Sequence, residues 1–499
     1  MAGIYAWLNE RLDLKSIRLA LLDRAVPDRL TWWHTLGSAT LTLFLVQVVT
    51  GLVLGTFYSP APDHAYGSIE YIEGQVASGS VLRGIHHWGA SAMVVLVIAH
   101  LIRVFSVGAY KYPREVNWLV GVGLFALVLG FSFTGYLLPW DQKAYWATMV
   151  GTSIAGTTPV IGAYLLSILR GGAELGAATL SRFYAFHVLW LPVLLALLVL
   201  LHLVFVIRQG IAPRPRALEA GAPPTTGDPE YAAYYQRAYA AAKQGGVRFY
   251  PDIVGKDVIA STAVVVLVVL LALTFGAPLE SPADPTDTSY VPTPEWYFLP
   301  LYQLLKLVPG SMESLVAVGI PTALVIAMLA LPFVDRRSTR NLFRRPVSMA
   351  SLLLVLGGSG WLLGAAVRER GPAIPKEVGR PLTSAERSGR ALYRSQKCED
   401  CHMLAGEGGD KGPDLSDVGL HHSPAWLHSY IEEPTRFRGD TTEMPAFGPP
   451  NLSHQEIEEL AQYLSSLRGT AGPSVQPEFH DTFPEPDTTG NAESERPTP

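Results

Sequence analysis

Four histidines occupy two apolar stretches of the chain in matched pairs. His86 and His100 stand 14 residues apart in SVLRGIHHWGASAMVVLVIAHLIRV, and His187 and His202 stand 15 apart in RFYAFHVLWLPVLLALLVLLHLVFVIR. At 100° per residue, 14 steps return to within about 40° of the start and 15 to within about 60°, so each pair occupies one helix face. The two members are separated by about 21 Å along the axis, inside a hydrocarbon core of about 30 Å. Two such helices side by side present two stacked His–His pairs, one towards each membrane surface, which is what six-coordinate heme iron requires. A single intramembrane histidine is as readily explained by a hydrogen bond to a neighbouring helix. Four at matched depth are not. His87, 13 residues before His100, falls roughly 140° off the face and takes no iron.

Further along stands Cys398-Glu-Asp-Cys401-His402. C-x-x-C-H is the spacing of covalent c-type heme attachment, with two thioethers to the vinyl groups and the adjacent histidine as axial ligand. A zinc ribbon needs a second pair of ligands, and the chain has only two cysteines. A disulfide would leave His402 without a role. Glu295, between Pro294 and the aromatics Trp296 and Tyr297, is a carboxylate able to accept a proton; by position alone it reads as a solvated loop acid.

Membrane-crossing helices and a separate small domain must position these groups. Charged residues make up 16% of the 499 and apolar residues 49%, against about 25% charged in an ordinary soluble protein. The net charge of -5 and the two cysteines argue for no nucleic-acid partner and no disulfide framework, and the length calls for more than one domain. Residues 1–32 set Ile4, Trp7, Leu8, Leu12 and Leu19 among charges, predicting an amphipathic helix at a membrane surface without the pattern of a signal peptide. Seven spans are predicted, at 33–57, 81–105, 116–138, 183–207, 257–276, 315–334 and 347–367. Basic residues gather in the second-to-third, fourth-to-fifth and sixth-to-seventh loops, whereas Ala277–Trp296 has no Lys or Arg and four acids. The positive-inside rule then puts the amino terminus in the cytoplasm and everything after the last span outside. His86 and His187 become the outer pair, His100 and His202 the inner one.

The predicted divisions are a surface helix (1–32), a four-span diheme core (33–210), a Pro- and Gly-rich cytoplasmic connector (211–256), a three-span segment (257–368), a tether (369–382), a small domain (383–468) and a disordered tail (469–499). Capping boxes at Thr383/Glu386 and Ser453/Glu456 open helices at the two ends of the small domain. Gly389 and Tyr393 are expected to cross the last helix near Leu460 and Tyr463.

The chain resembles the cytochrome b of quinol–cytochrome c oxidoreductase complexes over residues 1–370. The two histidine pairs, TGYLLPWDQ from Thr134 to Gln142, and Pro294-Glu295-Trp296-Tyr297 carry the resemblance. The 15-residue spacing and the three spans after the connector are similar to the chloroplast and cyanobacterial branch, where cytochrome b and a three-span partner are separate chains. Here they form one. Residues 383–468 resemble a small cytochrome c, which implies Met444 in Met-Pro-Ala-Phe447 as sixth ligand and Gly412-Pro413-Asp-Leu415 as support for His402. Met403, beside His402, cannot reach the opposite face. The implied fold is an all-α membrane protein, seven transmembrane helices with a diheme four-helix core plus a small all-α cytochrome c domain.

The resemblance further implies two b hemes, outer on His86/His187 and inner on His100/His202, with Gly37, Gly51, Gly121 and Gly135 leaving room for the porphyrins. Each glycine alone reads as ordinary small-residue packing. At an outer quinol-oxidation site the resemblance makes Glu295 the proton acceptor, with Pro294, Trp296, Tyr297 and Tyr136 around it. Arg208, Lys256 and Asp257 fall at an inner quinone-reduction site. Leu203 replaces the histidine some relatives have there, and Thr35 the cysteine that holds an extra heme in the chloroplast branch. A Rieske cluster needs two cysteines and two histidines of its own, so a separate Rieske iron–sulfur protein is expected. One electron from quinol then returns through the b hemes to quinone, and the other leaves through the c heme to a soluble cytochrome c or similar acceptor, with proton translocation. Small transmembrane subunits and a homodimer are further expectations, in a bacterial cytoplasmic membrane with the cytochrome c domain periplasmic. A diheme anchor relaying electrons for another oxidoreductase is the competing reading. It has no use for Pro-Glu-Trp-Tyr.

Overall fold

The computed structural model describes residues 2–27, 30–219, 224–285, 290, 293–368, 382–404, 407–409, 411–469 and 478–484. Among these, seven helices are long and apolar enough to cross a membrane: Leu36–Gly55, Gly79–Ser106, Glu115–Tyr136, Ala177–Gln209, Phe249–Phe275, Leu315–Val334 and Pro346–Arg368. A helix satisfies its own backbone N–H and C=O groups, which is the condition lipid imposes on any spanning segment. The chain forms two compact units. Met1–Trp140, Ala147–Pro278 and Thr293–Glu369 make the first; Asp141–Trp146, Leu279–Pro292 and Arg370–Pro499 make the second.

Within the first unit the first and second spans pack on each other and on the fifth, and the third packs on the fourth and sixth. The single amino-terminal helix expected from sequence is two, Ala2–Leu12 and Leu14–Leu21. The break is at Asp13, which adopts φ 48° and caps the second helix by accepting from Ser16 N–H. Several of the basic loop residues are buried rather than solvated. Lys111 Nζ donates to Asp335 at 2.8 Å and to the carbonyls of Arg337 and Thr339 at 2.6 and 2.8 Å. Arg340 donates to Gly108 O and Tyr112 O, and Arg345 to Phe105 O and Ser106 O, at 2.7–3.0 Å. Burial lowers Lys111 to about 8 despite Asp335. These cations lash the loop before the seventh span to the loop after the second.

In the second unit both expected capping boxes form, Thr383 with Glu386 on helix Ser384–Ser395 and Ser453 with Glu456 on helix His454–Ser465. The two helices cross at Gly389, where an added Cβ would lie 2.0 Å from Glu459 O and 2.9 Å from Tyr463 Cβ. The Tyr393 and Tyr463 rings meet at 6.1 Å. Acids of the fifth-to-sixth loop are also engaged: Asp284 pairs with Arg387 at 2.9 Å, and Glu280 accepts from Tyr290 at 2.8 Å. Burial, with the charge of Asp141 added, pushes Glu280 up to about 7. Of the expected tail, residues 478–484 are seated on the domain, with Asp481 accepting from Ser423 and Thr482 O from Trp426. The rest of the tail beyond 469 and the tether up to 381 lie outside the described residues.

Gly389→Val should force these helices apart. Overpacking of this kind costs about 1–3 kcal/mol, so limited proteolysis within residues 384–465 of the full chain should accelerate roughly five- to 150-fold. An unchanged rate would show that the crossing tolerates a side chain.

Candidate functional site

The second and fourth spans bring the histidines together. His86 faces His187 with ring centres 6.3 Å apart, and His100 faces His202 at 6.5 Å. Two imidazoles bound to opposite sides of one metal ion at about 2 Å each have ring centres roughly 6 Å apart. Both separations suit a shared iron. His87 packs edge-on against Trp88 at 5.2 Å.

The unequal spacings are reconciled by the backbone. On regular helices, intervals of 14 and 15 residues end about 100° apart, so two straight spans would not align both pairs equally well. The fourth span contains a π turn at Phe186–Trp190, with Leu191 N–H donating to Phe186 O. A π turn absorbs one residue, and the 15-residue interval therefore rotates like one of 14. Sequence reasoning missed the turn, although the inequality of the two spacings was its signal.

Each ring also faces a glycine. A Cβ added to Gly135 would lie 2.5 Å from His187, one on Gly51 3.1 Å from His86, one on Gly37 3.4 Å from His100, and one on Gly121 3.9 Å from His202. The glycines come from the first and third spans, two from each. Thr50 and Thr134, directly before Gly51 and Gly135, lie 2.8 and 3.2 Å from Nδ1 of His86 and His187. Each hydroxyl donates to a backbone carbonyl of its own helix, Val46 O or Gly130 O. Its oxygen therefore accepts from Nδ1–H, which leaves Nε2 as the ligand atom. The repeated Thr-Gly dipeptide is the signal of this pairing in the sequence.

Arg103, three residues past His100, has Nε and Nη2 buried without a hydrogen-bond partner among the described residues. A buried guanidinium in that state calls for an anion, and the carboxylates of a b-type heme meet the need. At the same end, Asp257 accepts from Ser38 Oγ at 2.7 Å, beside Gly37, and Lys256 Nζ donates to Leu30 O at 3.0 Å. Burial, with the charges of Arg103, Arg214 and Lys256 added, lowers His34, a residue the sequence does not single out, to about 4. Arg208 is exposed at the end of the fourth span.

The other end holds the Pro294–Tyr297 segment. Phe298 and Leu299 N–H donate to Glu295 O at 2.8 and 3.2 Å, opening helix Leu299–Lys306. Trp296 and Tyr297 pack on Leu43, Met93, Val94, Val128 and Val268. Tyr297 hydrogen-bonds Ser132, and burial, reinforced by the charge of Glu295, raises its phenol well above the usual range. Ser132 and Tyr136 are one helical turn apart, so Tyr136 shares the face on which the tetrapeptide is anchored.

In the second unit, His402 Nδ1 donates to Pro413 O at 2.9 Å, and a Cβ on Gly412 would lie 2.5 Å from its ring. The Gly412–Leu415 segment thus orients the histidine and again leaves Nε2 free. Met444 and Cys398 both pack against the domain core.

Facing imidazole pairs inside a helical bundle, with a C-x-x-C-H domain in the same chain, define a membrane-spanning redox subunit for b-type and c-type hemes. Residues 21–210 match the Cytochrome b/b6/petB family, 282–373 the Cytochrome b(C-terminal)/b6/petD family, and 387–468 the Cytochrome c family. The chain is 40% identical over 212 residues to cytochrome b6 of Mastigocladus laminosus and equally to that of Emiliania huxleyi, spanning 42% of this chain and 99% of each relative. Among solved structures it is similar to a chain of a hyperthermophilic respiratory Complex III, with TM-score 0.63 and 28% identity over 74% of this chain and 92% of that one. The chain belongs to the cytochrome b/b6 family, with both parts of cytochrome b and a cytochrome c domain in one polypeptide. It is a cytochrome bc-type electron-transfer subunit.

Alanine at the four glycines should lower b-heme content in the order of their clearances, Gly135 most, then Gly51 and Gly37, with Gly121 nearly tolerated. Pyridine hemochrome spectra of the purified variants would read this. A flat series would refute the idea that these positions are kept bare for the histidine rings and what they bind.

Proposed function

We propose that this chain is the cytochrome b/c subunit of a quinol:cytochrome c oxidoreductase that works with a Rieske iron–sulfur protein. The observation that carries the reading is a single one: two His–His pairs at iron-sharing distance lie in the bundle against which Pro294–Tyr297 packs. The likeness to a respiratory Complex III chain supports it. His86 and His187 would hold an outer b heme, His100 and His202 an inner one, and Cys398, Cys401, His402 and Met444 the c heme. Bound there, these groups supply one-electron carriers at two depths of the membrane and at its outer face.

Quinol oxidation sheds two electrons and two protons. Glu295 takes up a proton within an apolar surround and carries it to water, while Tyr297, held protonated, and Tyr136 keep the carboxylate beside the quinol. At the inner side Asp257 on Ser38, with Lys256 and Arg208, delivers protons for quinone reduction. Release outside and uptake inside make the cycle proton-translocating. Both cysteines are committed to the c heme, so the iron–sulfur cluster that splits the electron pair belongs to another subunit. The c domain then passes one electron to a soluble cytochrome c or similar acceptor. The basic loops support an amino terminus on the cytoplasmic side of what we propose is a bacterial membrane, with the c domain outside. Small transmembrane subunits and a second copy of the complex complete the assembly.

The purified chain should contain two b hemes per c heme by pyridine hemochrome. Glu295→Gln should slow quinol oxidation by about 100-fold or more with both b-heme spectra unchanged. Full turnover in that variant, or in a preparation free of any iron–sulfur protein, would overturn the scheme.

A further inference from the structure

We propose that the cytochrome c domain carries a surface site for a divalent transition-metal ion, formed by His428, Glu432 and His454. The site stands independently of the quinol chemistry. His428 and Glu432 are four residues apart on helix Pro424–Glu432, and His454 is the first residue of helix His454–Ser465. Glu432 lies between the two imidazoles. Its Oε2 is 3.8 Å from His428 Nδ1 and its Oε1 is 3.3 Å from His454 Nδ1, and one ligand atom from each residue falls within 4.8 Å of the others.

Ligand atoms about 2.0–2.2 Å from one tetrahedral ion are roughly 3.3–3.6 Å from each other. The carboxylate-to-imidazole distances are close to those edges. The support around the ligands is also that of a metal site. His428 Nε2 donates to His454 O at 3.3 Å, which fixes the tautomer and leaves the Nδ1 lone pair turned to the carboxylate, the outer bond that metal-ligating histidines usually make. The rings of His428 and His454 lie nearly parallel, 17° and 6.1 Å apart. One cation among the three would bind both imidazoles and the carboxylate at once. Glu432 is held as well, since its carbonyl accepts from Gly448 N–H at 3.1 Å and its Cγ fills the space a Cβ on Gly448 would enter. His454 is exposed, so a fourth position stays open to water.

Two imidazoles and one carboxylate favour zinc, copper(II) or nickel over magnesium and calcium. The same contacts join the site to the segment bearing Met444, because Phe447 and Gly448 N–H donate to Ile431 O and Glu432 O. A metal on Glu432 therefore restrains the Met444–Gly448 loop.

The test uses the full-length chain in detergent, stripped with EDTA and dialysed against zinc chloride, with bound zinc measured by mass spectrometry. One zinc per chain is expected, with affinity weakened at least about tenfold in His428→Gln, Glu432→Gln and His454→Gln. His422→Gln, on the same domain, should bind as the parent does, and an unchanged visible spectrum would certify the fold of each variant. Amide exchange of residues 444–448 should slow when zinc is bound. Zinc binding that survives all three substitutions, or that needs millimolar zinc, would overturn the proposal.

Discussion

Four imidazoles on two helices must face one another at two levels at once, and much of the bundle is arranged to allow it. Lipid leaves the backbone no alternative to helix, so register can be corrected only within the helix. The π turn at Phe186–Trp190 does this for the fourth span. The neighbouring helices then have to come close without side chains in the way, hence a glycine against every ring. Thr50 and Thr134 complete the constraint for one pair by spending each hydroxyl proton on the helix backbone, which obliges the oxygen to accept from the imidazole.

Charge at the ends of the bundle follows a second rule. A cation removed from water must be met by a partner. Lys111, Arg340 and Arg345 meet carbonyls, Asp335 and tyrosine hydroxyls, and so serve as struts between loops. Arg103, one turn past His100, has buried nitrogens with no such partner among the described residues. Arg340 and Arg345 also keep a buried Nε without a hydrogen bond among the described residues, but their other nitrogens are engaged, so Arg103 differs in degree, a distinction of environment that residue type alone does not carry.

That explains what was and was not legible in the sequence. The histidine spacings, C-x-x-C-H, the capping boxes and the Gly389 crossing depend on neighbours a few residues away or on plain periodicity, and all were readable. The π turn, the break at Asp13 and the seating of residues 478–484 on Ser423 and Trp426 depend on what the segment packs against. The loop charges were read as topological markers. Many also carry buried hydrogen bonds, and a positive-inside count has no means of seeing that second duty. Glu295 was the hardest case. Its neighbours in sequence leave it a loop acid, the resemblance of Pro-Glu-Trp-Tyr makes it a proton acceptor, and the structure adds that Trp296 and Tyr297 pack on the bundle, with Tyr297 on Ser132.

The two units are held by different forces, and this governs how the chain tolerates change. In lipid there is little hydrophobic gain from bringing apolar helices together, so the spans depend on close approach and polar pairing. Glycine there keeps clearance for a facing imidazole ring. The cytochrome c domain buries Leu427, Ile431, Leu452, Ile457, Leu460 and Leu464 away from water, and its glycine at 389 protects the depth of that burial instead. The same residue type thus reports on clearance for the histidine rings in one unit and on helix packing in the other. A fused chain can combine the two because neither unit's cohesion is drawn from the other's solvent.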